Sequence, residues 1–122
     1  MTNKEIVTTF LKGFNDPDQL DGALTLLAKD YCFNGPMSKA SNREEFTIIA
    51  KQLSALLKGL KVLRIMEDGD WVSVGYEFYT DLPNLKSTQG SEWFRLESGL
   101  IKESHLVYDA TGFHKLYDQM KV

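Results

Sequence analysis

The 122-residue sequence predicts an α+β domain in which N-terminal helices cover one face of an antiparallel sheet. Three observations carry that expectation. Apolar residues recur at intervals of three and four up to Leu57, and from Leu60 they recur at intervals of two. Breaks at Asp68-Gly69-Asp70, Pro83-Asn84 and Ser98-Gly99 then cut the second half into pieces of strand length. A period near 3.6 marks an amphipathic helix and a period of two a half-buried strand, so helices come first and pack on a curved meander. One domain over residues 1–122 is the default for this length.

The first helix is expected over residues 3–14, where Ile6, Val7, Phe10, Leu11 and Phe14 share a stripe and Gly13 with Asn15-Asp16-Pro17 ends it. The second runs from Gln19 to Ala28 with Leu20, Ala23, Leu24 and Leu27 on one side, and Asp16 or Asp18 supplies its N-cap. Tyr31 to Asn34 reads as a brief strand closed by Gly35-Pro36, followed by a flexible stretch that includes Met37 as a lid residue. Ser41 with Glu44 and Asn42 with Glu45 form two overlapping capping boxes ahead of Phe46, Ile49, Ala50, Leu53, Leu56 and Leu57, which predicts a third helix ending at a left-handed Gly59. Strands follow over Lys61 to Glu67, Trp71 to Thr80, Ser87 to Leu96 and Ile101 to Tyr108, and Phe113, Leu116, Tyr117 and Met120 predict a short last helix.

Composition removes several function classes. Fourteen basic against seventeen acidic side chains give a net charge of -3, and no block of Lys and Arg is long enough to follow a phosphate backbone, so nucleic acid is not an expected partner. The N-terminus lacks the apolar stretch of a signal peptide, and no run of about eighteen apolar residues occurs, so a soluble, cytoplasmic protein without membrane contact is expected. Cys32 is the only cysteine, which excludes an internal disulfide, and His105 and His114 lack metal-pair spacing. Neither a metal nor a cofactor is expected. Cys32, between Tyr31 and Phe33, reads as a small buried hydrophobe, and His114 as a solvated residue.

Alternation places Glu92, Phe94 and Leu96 on one face and Trp93 and Arg95 on the other, so a carboxylate stands in line with apolar groups. Glu92 is therefore the candidate catalytic residue. Beside Phe33, Phe94 and the third helix its pKa would rise toward neutrality, suiting it to proton exchange; the alternative is a pairing with solvent, Arg64 or Arg95. Tyr76, Phe78, Ser104, Leu106 and Tyr108 fall on the same inward phase, and Tyr31 and Asn34 lie at the expected cavity mouth, where polar tips orient a ligand in an apolar site. Met66 and Met120 offer adaptable lining or fill gaps in the core. On the other face Trp71, Tyr79, Trp93, His105 and Val107 form an apolar patch that predicts a homodimer through the back of the sheet.

The order of elements, Leu20-Asp21-Gly22 in the second helix, the Asp68-Gly69-Asp70 turn, and the ending Glu92-x-Phe94-x-Leu96-x-x-Gly99-x-Ile101 followed by Val107-Tyr108-Asp109 resemble the nuclear transport factor 2-like superfamily, most closely its SnoaL-like branch. The resemblance covers nearly the whole chain. It implies a cone-shaped α+β barrel with a pocket between helices and concave sheet, often in a homodimer, and members that range from isomerases, cyclases, hydrolases and dehydratases to non-catalytic binders. Residue by residue, the ketosteroid isomerase base falls at Gly35-Pro36 and its helix-one Tyr at Leu11, so both groups are missing, while its second oxyanion carboxyl falls on Glu92. Leu106 stands where limonene epoxide hydrolase-like members carry an Asp, and His105 is out of phase for a scytalone dehydratase-type site. The sequence thus implies a binder of a small apolar molecule with one polar end, with a proton-transfer enzyme and a protein-interaction adaptor as the alternatives.

Overall fold

Local hydrogen bonds set most element boundaries in the computed structural model, which describes residues 1–120. Thr2 caps α1 (Asn3–Lys12) through a capping box: the Glu5 N–H donates to Thr2 Oγ1 and the Thr2 N–H to Glu5 Oε1, each at 3.1 Å. Asp16 caps α2 (Pro17–Leu24), with Pro17 in the first turn where its missing N–H costs nothing. Gly13 lies where the two helices touch. A Cβ there would stand 2.5 Å from that of Ala23, so only glycine permits this approach.

The second helix stops short of the expected Ala28. Thr25 Oγ1 turns back to the Gly22 carbonyl, and Leu27 and Ala28 instead open β1 (Leu27–Asn34), where Leu27 pairs with Ile101. Leu27 satisfies the helical stripe by position, yet its burial comes from strand pairing; tertiary contact overrides periodicity. Gly35 N–H donates to Ser38 O at 3.0 Å, closing a turn into β2 (Lys39–Ala40), which periodicity did not reveal because two residues carry none.

Helix α3 (Arg43–Leu56) uses half of the Asn42–Glu45 box: Asn42 Oδ1 accepts from the Glu45 N–H, while Glu45 Oε1 accepts from the Ser41 N–H in place of that of Asn42, both at 2.8 Å. It ends at an extended Leu57, and Gly59 is not left-handed but begins β3 (Gly59–Asp68). The chain passes straight from helix to sheet, so no reversal is needed there. The strands β4 (Trp71–Tyr79), β5 (Ser87–Glu97) and β6 (Leu100–Tyr108) follow as a meander. Ser98 and Gly99, with φ of 53° and 81°, form the two-residue turn that matches the twist of a hairpin. Asp109 then accepts from the N–H and hydroxyl of Thr111 at the start of α4 (Thr111–Met120). The Met120 side chain, weighed above as lining, lies outside the described residues.

The six strands run in the order β2-β1-β6-β5-β4-β3 and form a curved, open sheet. It is mixed rather than antiparallel throughout, because β1 joins β6 in parallel after the helices carry the chain across. Its inner face is strictly alternating: Val72, Val74, Tyr76 and Phe78 on β4 are buried while their neighbours are exposed or half-buried. Four helices cover that face, and an aromatic chain joins the layers, Phe10 meeting Phe94 edge-on at 5.9 Å and Phe46 meeting Tyr31 at 5.1 Å. The outer face carries Trp71, Trp93 and Val107 exposed, with Tyr79 and His105 half-buried. Cys32 is exposed and not a core residue, since Tyr31 and Phe33 take the inward phase on either side of it. Met66 also points outward, paired with Ser73 on the outer phase of β3. His114 is exposed.

Candidate functional site

A cavity of about 200 Å³ separates the helices from the concave sheet. Phe10 and Phe14 reach it from the first helix and the turn after it, Phe46 and Leu53 from α3, and Phe113 from α4. The sheet supplies its floor with Tyr76 and Phe78 of β4, Glu92 of β5, and Leu106 and Tyr108 of β6, while Met37 and Pro36 of the β1–β2 turn stand at its rim. The register explains the floor. Glu92 pairs with Val74 and Leu106, and Gly90 pairs with Tyr76 and Tyr108, all on the inward phase. A Cβ on Gly90 would stand 3.3 Å from the Tyr76 ring, so the glycine leaves that ring room.

Among the described residues Glu92 is the one carboxyl at this cavity, and it is buried. Tyr76 Oη donates to Glu92 Oε1 at 2.8 Å, the Ser104 hydroxyl also bonds the carboxyl, and Tyr31 Oη lies 2.5 Å from Ser104 Oγ. When Glu92 is ionised, Tyr31 donates to Ser104, Ser104 to Glu92 and Tyr76 to Glu92, so every hydroxyl hydrogen has an acceptor. Burial raises the Glu92 pKa to about 7, against the opposing pull of the Tyr76 and Ser104 hydrogen bonds and of the His105 charge. Burial and the neighbouring Glu92 charge hold the Tyr76 and Tyr31 phenols well above their usual range, so both stay donors. The site can hold a ligand by shape, accept a hydrogen bond or positive charge at Glu92, and exchange a proton near neutral pH.

Of the residues singled out in the sequence, Phe33, Tyr76, Phe78, Leu106 and Tyr108 border the cavity with Glu92. Four do not. Tyr31 and Ser104 are fully buried and bonded to each other behind Glu92, and Phe94 is sealed under Phe10. Asn34 pairs with His105 on the outward phase, since it follows the inward Phe33. Arg95 and Arg64 are not partners of Glu92: Arg95 bonds Glu103 and pairs with Glu97 on the outer phase, and Arg64 is exposed on β3. His105 bonds Glu103 and stacks near Trp71 on that same outer face. Among the described residues no group of His, Cys, Asp or Glu could hold a metal ion. Sequence reasoning missed Phe10, Leu53 and Phe113 as cavity residues. Their helical stripes mark burial, and periodicity alone cannot divide a stripe between core and cavity.

No family model matches the chain, and no curated protein matches it. Solved structures do. A protein described as NTF2-like and of unknown function from Cytophaga hutchinsonii superimposes with a TM-score of 0.78 at 23% identity, over 93% of this chain and 96% of that one. The chain has the nuclear transport factor 2-like fold. A protein from Kribbella flavida shares that fold with this chain at a TM-score of 0.84 and 17% identity, covering 97% of this chain and 95% of its own. A hypothetical protein of ketosteroid isomerase-like fold from Catenulispora acidiphila, in complex with trimethylamine, has a TM-score of 0.70 at 18% identity, over 88% and 87% of the two chains. On this nuclear transport factor 2-like frame, Gly35, Pro36 and Leu11 border the cavity without an acid or phenol, and Asp109 is committed to α4.

Proposed function

We propose that the protein binds a small, largely apolar molecule in this cavity and belongs to the SnoaL-like branch of the fold. The carrying observation is a single buried carboxyl, held by Tyr76 and Ser104, in an otherwise apolar wall. Sites of this make-up take their affinity from shape and apolar contact and their orientation from a few polar groups. The trimethylamine complex of the Catenulispora acidiphila protein, one case of this fold with a small organic molecule, supports the reading. A cytoplasmic location agrees with a free, exposed Cys32 and with the absence, among the described residues, of any helix long and apolar enough to cross a membrane. The exposed Trp71, Trp93 and Val107 beside the Arg95–Glu103 pair support a homodimer through the outer sheet face, where both signs of charge are available for self-complementary contact.

Native mass spectrometry of freshly purified protein tests both parts. The expected spectrum is a two-chain assembly carrying extra mass that denaturation releases. A bare chain mass argues against retention, and a monomer at micromolar concentration removes the dimer.

A second reading, proton-transfer catalysis such as isomerisation or cyclisation, is favoured by one observation: a carboxyl with a pKa of about 7 exchanges protons at neutral pH. Under it, Glu92→Gln abolishes turnover in a substrate screen and leaves ligand affinity little changed. Equal loss of both points to binding alone.

A further inference from the structure

The cavity contains a carboxyl with no countercharge among the described lining residues. Apart from Glu92, the titratable groups that reach it are the phenols of Tyr76 and Tyr108; among the described lining residues there is no Lys, Arg or His. Both protein donors at the carboxyl are neutral hydroxyls, from Tyr76 on β4 and Ser104 on β6. They fix an acceptor in place and supply no compensating charge. Arg95, on the outward phase of the same strand, is bound to Glu103. An ionised carboxylate in such surroundings either takes up a proton or meets a cation brought from outside.

The rest of the wall suits that cation. Phe10, Phe14, Phe33, Phe46, Phe78 and Phe113 surround the space, and aromatic π-systems attract a desolvated ammonium while offering nothing to an anion. A carboxylate or phosphate ligand would find, among the described lining side chains, only the neutral hydroxyls of Ser38, Tyr76 and Tyr108 as donors and would face Glu92 besides. At about 200 Å³ the cavity is below the roughly 300–1,000 Å³ of drug-sized sites and equals about seven waters' share of liquid. One ring with a short aminoalkyl arm fills it.

Resting on the binding reading above, we propose that the ligand is a small aryl- or alkylammonium ion whose N–H groups meet Glu92 and whose apolar body lies among the phenylalanines. The cation binds the ionised form of Glu92, so binding releases a proton where the empty site holds one. The groups facing the carboxyl are Tyr76 from β4, Ser104 from β6 and Tyr31 from β1 behind Ser104, with His105 acting by charge from the other side of β6. Helices α1 and α3 present only apolar side chains to the cavity. None of the phenols titrates near neutrality, and a protonated His105 favours the carboxylate, so the pH dependence belongs to Glu92.

Calorimetric titration with benzylamine, benzyl alcohol and benzoate tests the assignment, because the three probes share a ring and differ in charge. Benzylammonium is expected to bind about tenfold or more tightly than benzyl alcohol at about pH 8, where its positive charge pairs with the carboxylate and the alcohol offers only a hydrogen bond. With half-ionisation near pH 7, its affinity should fall about tenfold by about pH 6, and that of the alcohol should not. Glu92→Gln should erase both the preference and the pH dependence, and the wild-type comparison at two pH values needs no variant. Equal binding of alcohol and amine, tighter binding of benzoate, or a preference that survives Glu92→Gln overturns the cationic ligand and leaves the apolar-cavity reading standing. Failure of all three probes overturns both.

Discussion

Between about pH 4 and pH 8 the ionisation of Glu92 is expected to cost the protein about 3 kcal/mol of unfolding stability, and Glu92→Gln is expected to recover it at the upper end. The sign follows from proton counting. The folded state raises Glu92 from an ordinary 4.5 to about 7, so between those values it holds a proton that the unfolded chain has released. Stability therefore falls as pH rises through that window, and the cost is fully present above about 7. The size is the difference of about 2.5 between the two values at 1.36 kcal/mol each, about 3 kcal/mol. The carboxyls of Asp30, Glu77, Glu103 and Asp109 are held below their usual range by hydrogen bonds, so what they contribute is lost only at more acid pH. Glutamine keeps an acceptor for Tyr76 and cannot ionise. Urea midpoints for both proteins at both pH values measure the effect, and parallel profiles would show that burial does not perturb this carboxyl.

A cost of that kind at a group bordering the cavity fits a stability penalty kept for binding, since replacing one neutral-tending carboxyl by an amide is a small sequence change. It also links the stability experiment to the ligand experiment. A cation that meets Glu92 should remove the pH dependence of stability as it saturates the site, because it binds the folded state alone.

The inner and outer phases of β4, β5 and β6 were legible in the sequence because alternation depends on the backbone alone, and any strand with one covered face must obey it. That is why Glu92, Tyr76 and Tyr108 are assigned to one face from spacing. The parallel joining of β1 to β6 was not legible, since no local pattern records which distant strand a segment will meet. Leu27 illustrates the limit: it sits on a helical stripe and is buried in a strand. The same limit applied at Tyr31, Phe94 and Ser104. Each faces inward as alternation requires, but depth beneath the cavity depends on what packs above it, and Phe10 and Phe46 come from helices whose docking the strands do not encode. Cys32 was misread for a different reason. Its apolar neighbours suggested a core run, whereas strict alternation in a strand with one covered face sends the middle residue out.

Phe46→Ala should produce the largest single loss of stability near the site, about 3–5 kcal/mol, the usual range for removing a buried phenyl ring. Phe46 is 3% exposed and is the point where α3 grips the sheet. Its ring lies 5.1 Å from Tyr31, 5.0 Å from Phe33 and 6.4 Å from Phe10, so one truncation removes contacts to β1 and α1 together. Collapse cannot heal the gap easily, because Tyr31 is held by Ser104 and the β1 backbone by its pairing with β6. The vacated volume instead merges with the existing cavity, which Phe46 already borders. Urea denaturation reads the loss, and a change below about 1 kcal/mol would mean that α3 is not anchored through this ring. The merged space should also be a better host for an apolar molecule than the wild-type cavity. Saturating toluene is expected to raise the midpoint of the variant by more than that of the wild type, since a ligand that binds only the folded state stabilises it in proportion to its occupancy; an equal shift in both proteins would place the lost ring away from the cavity.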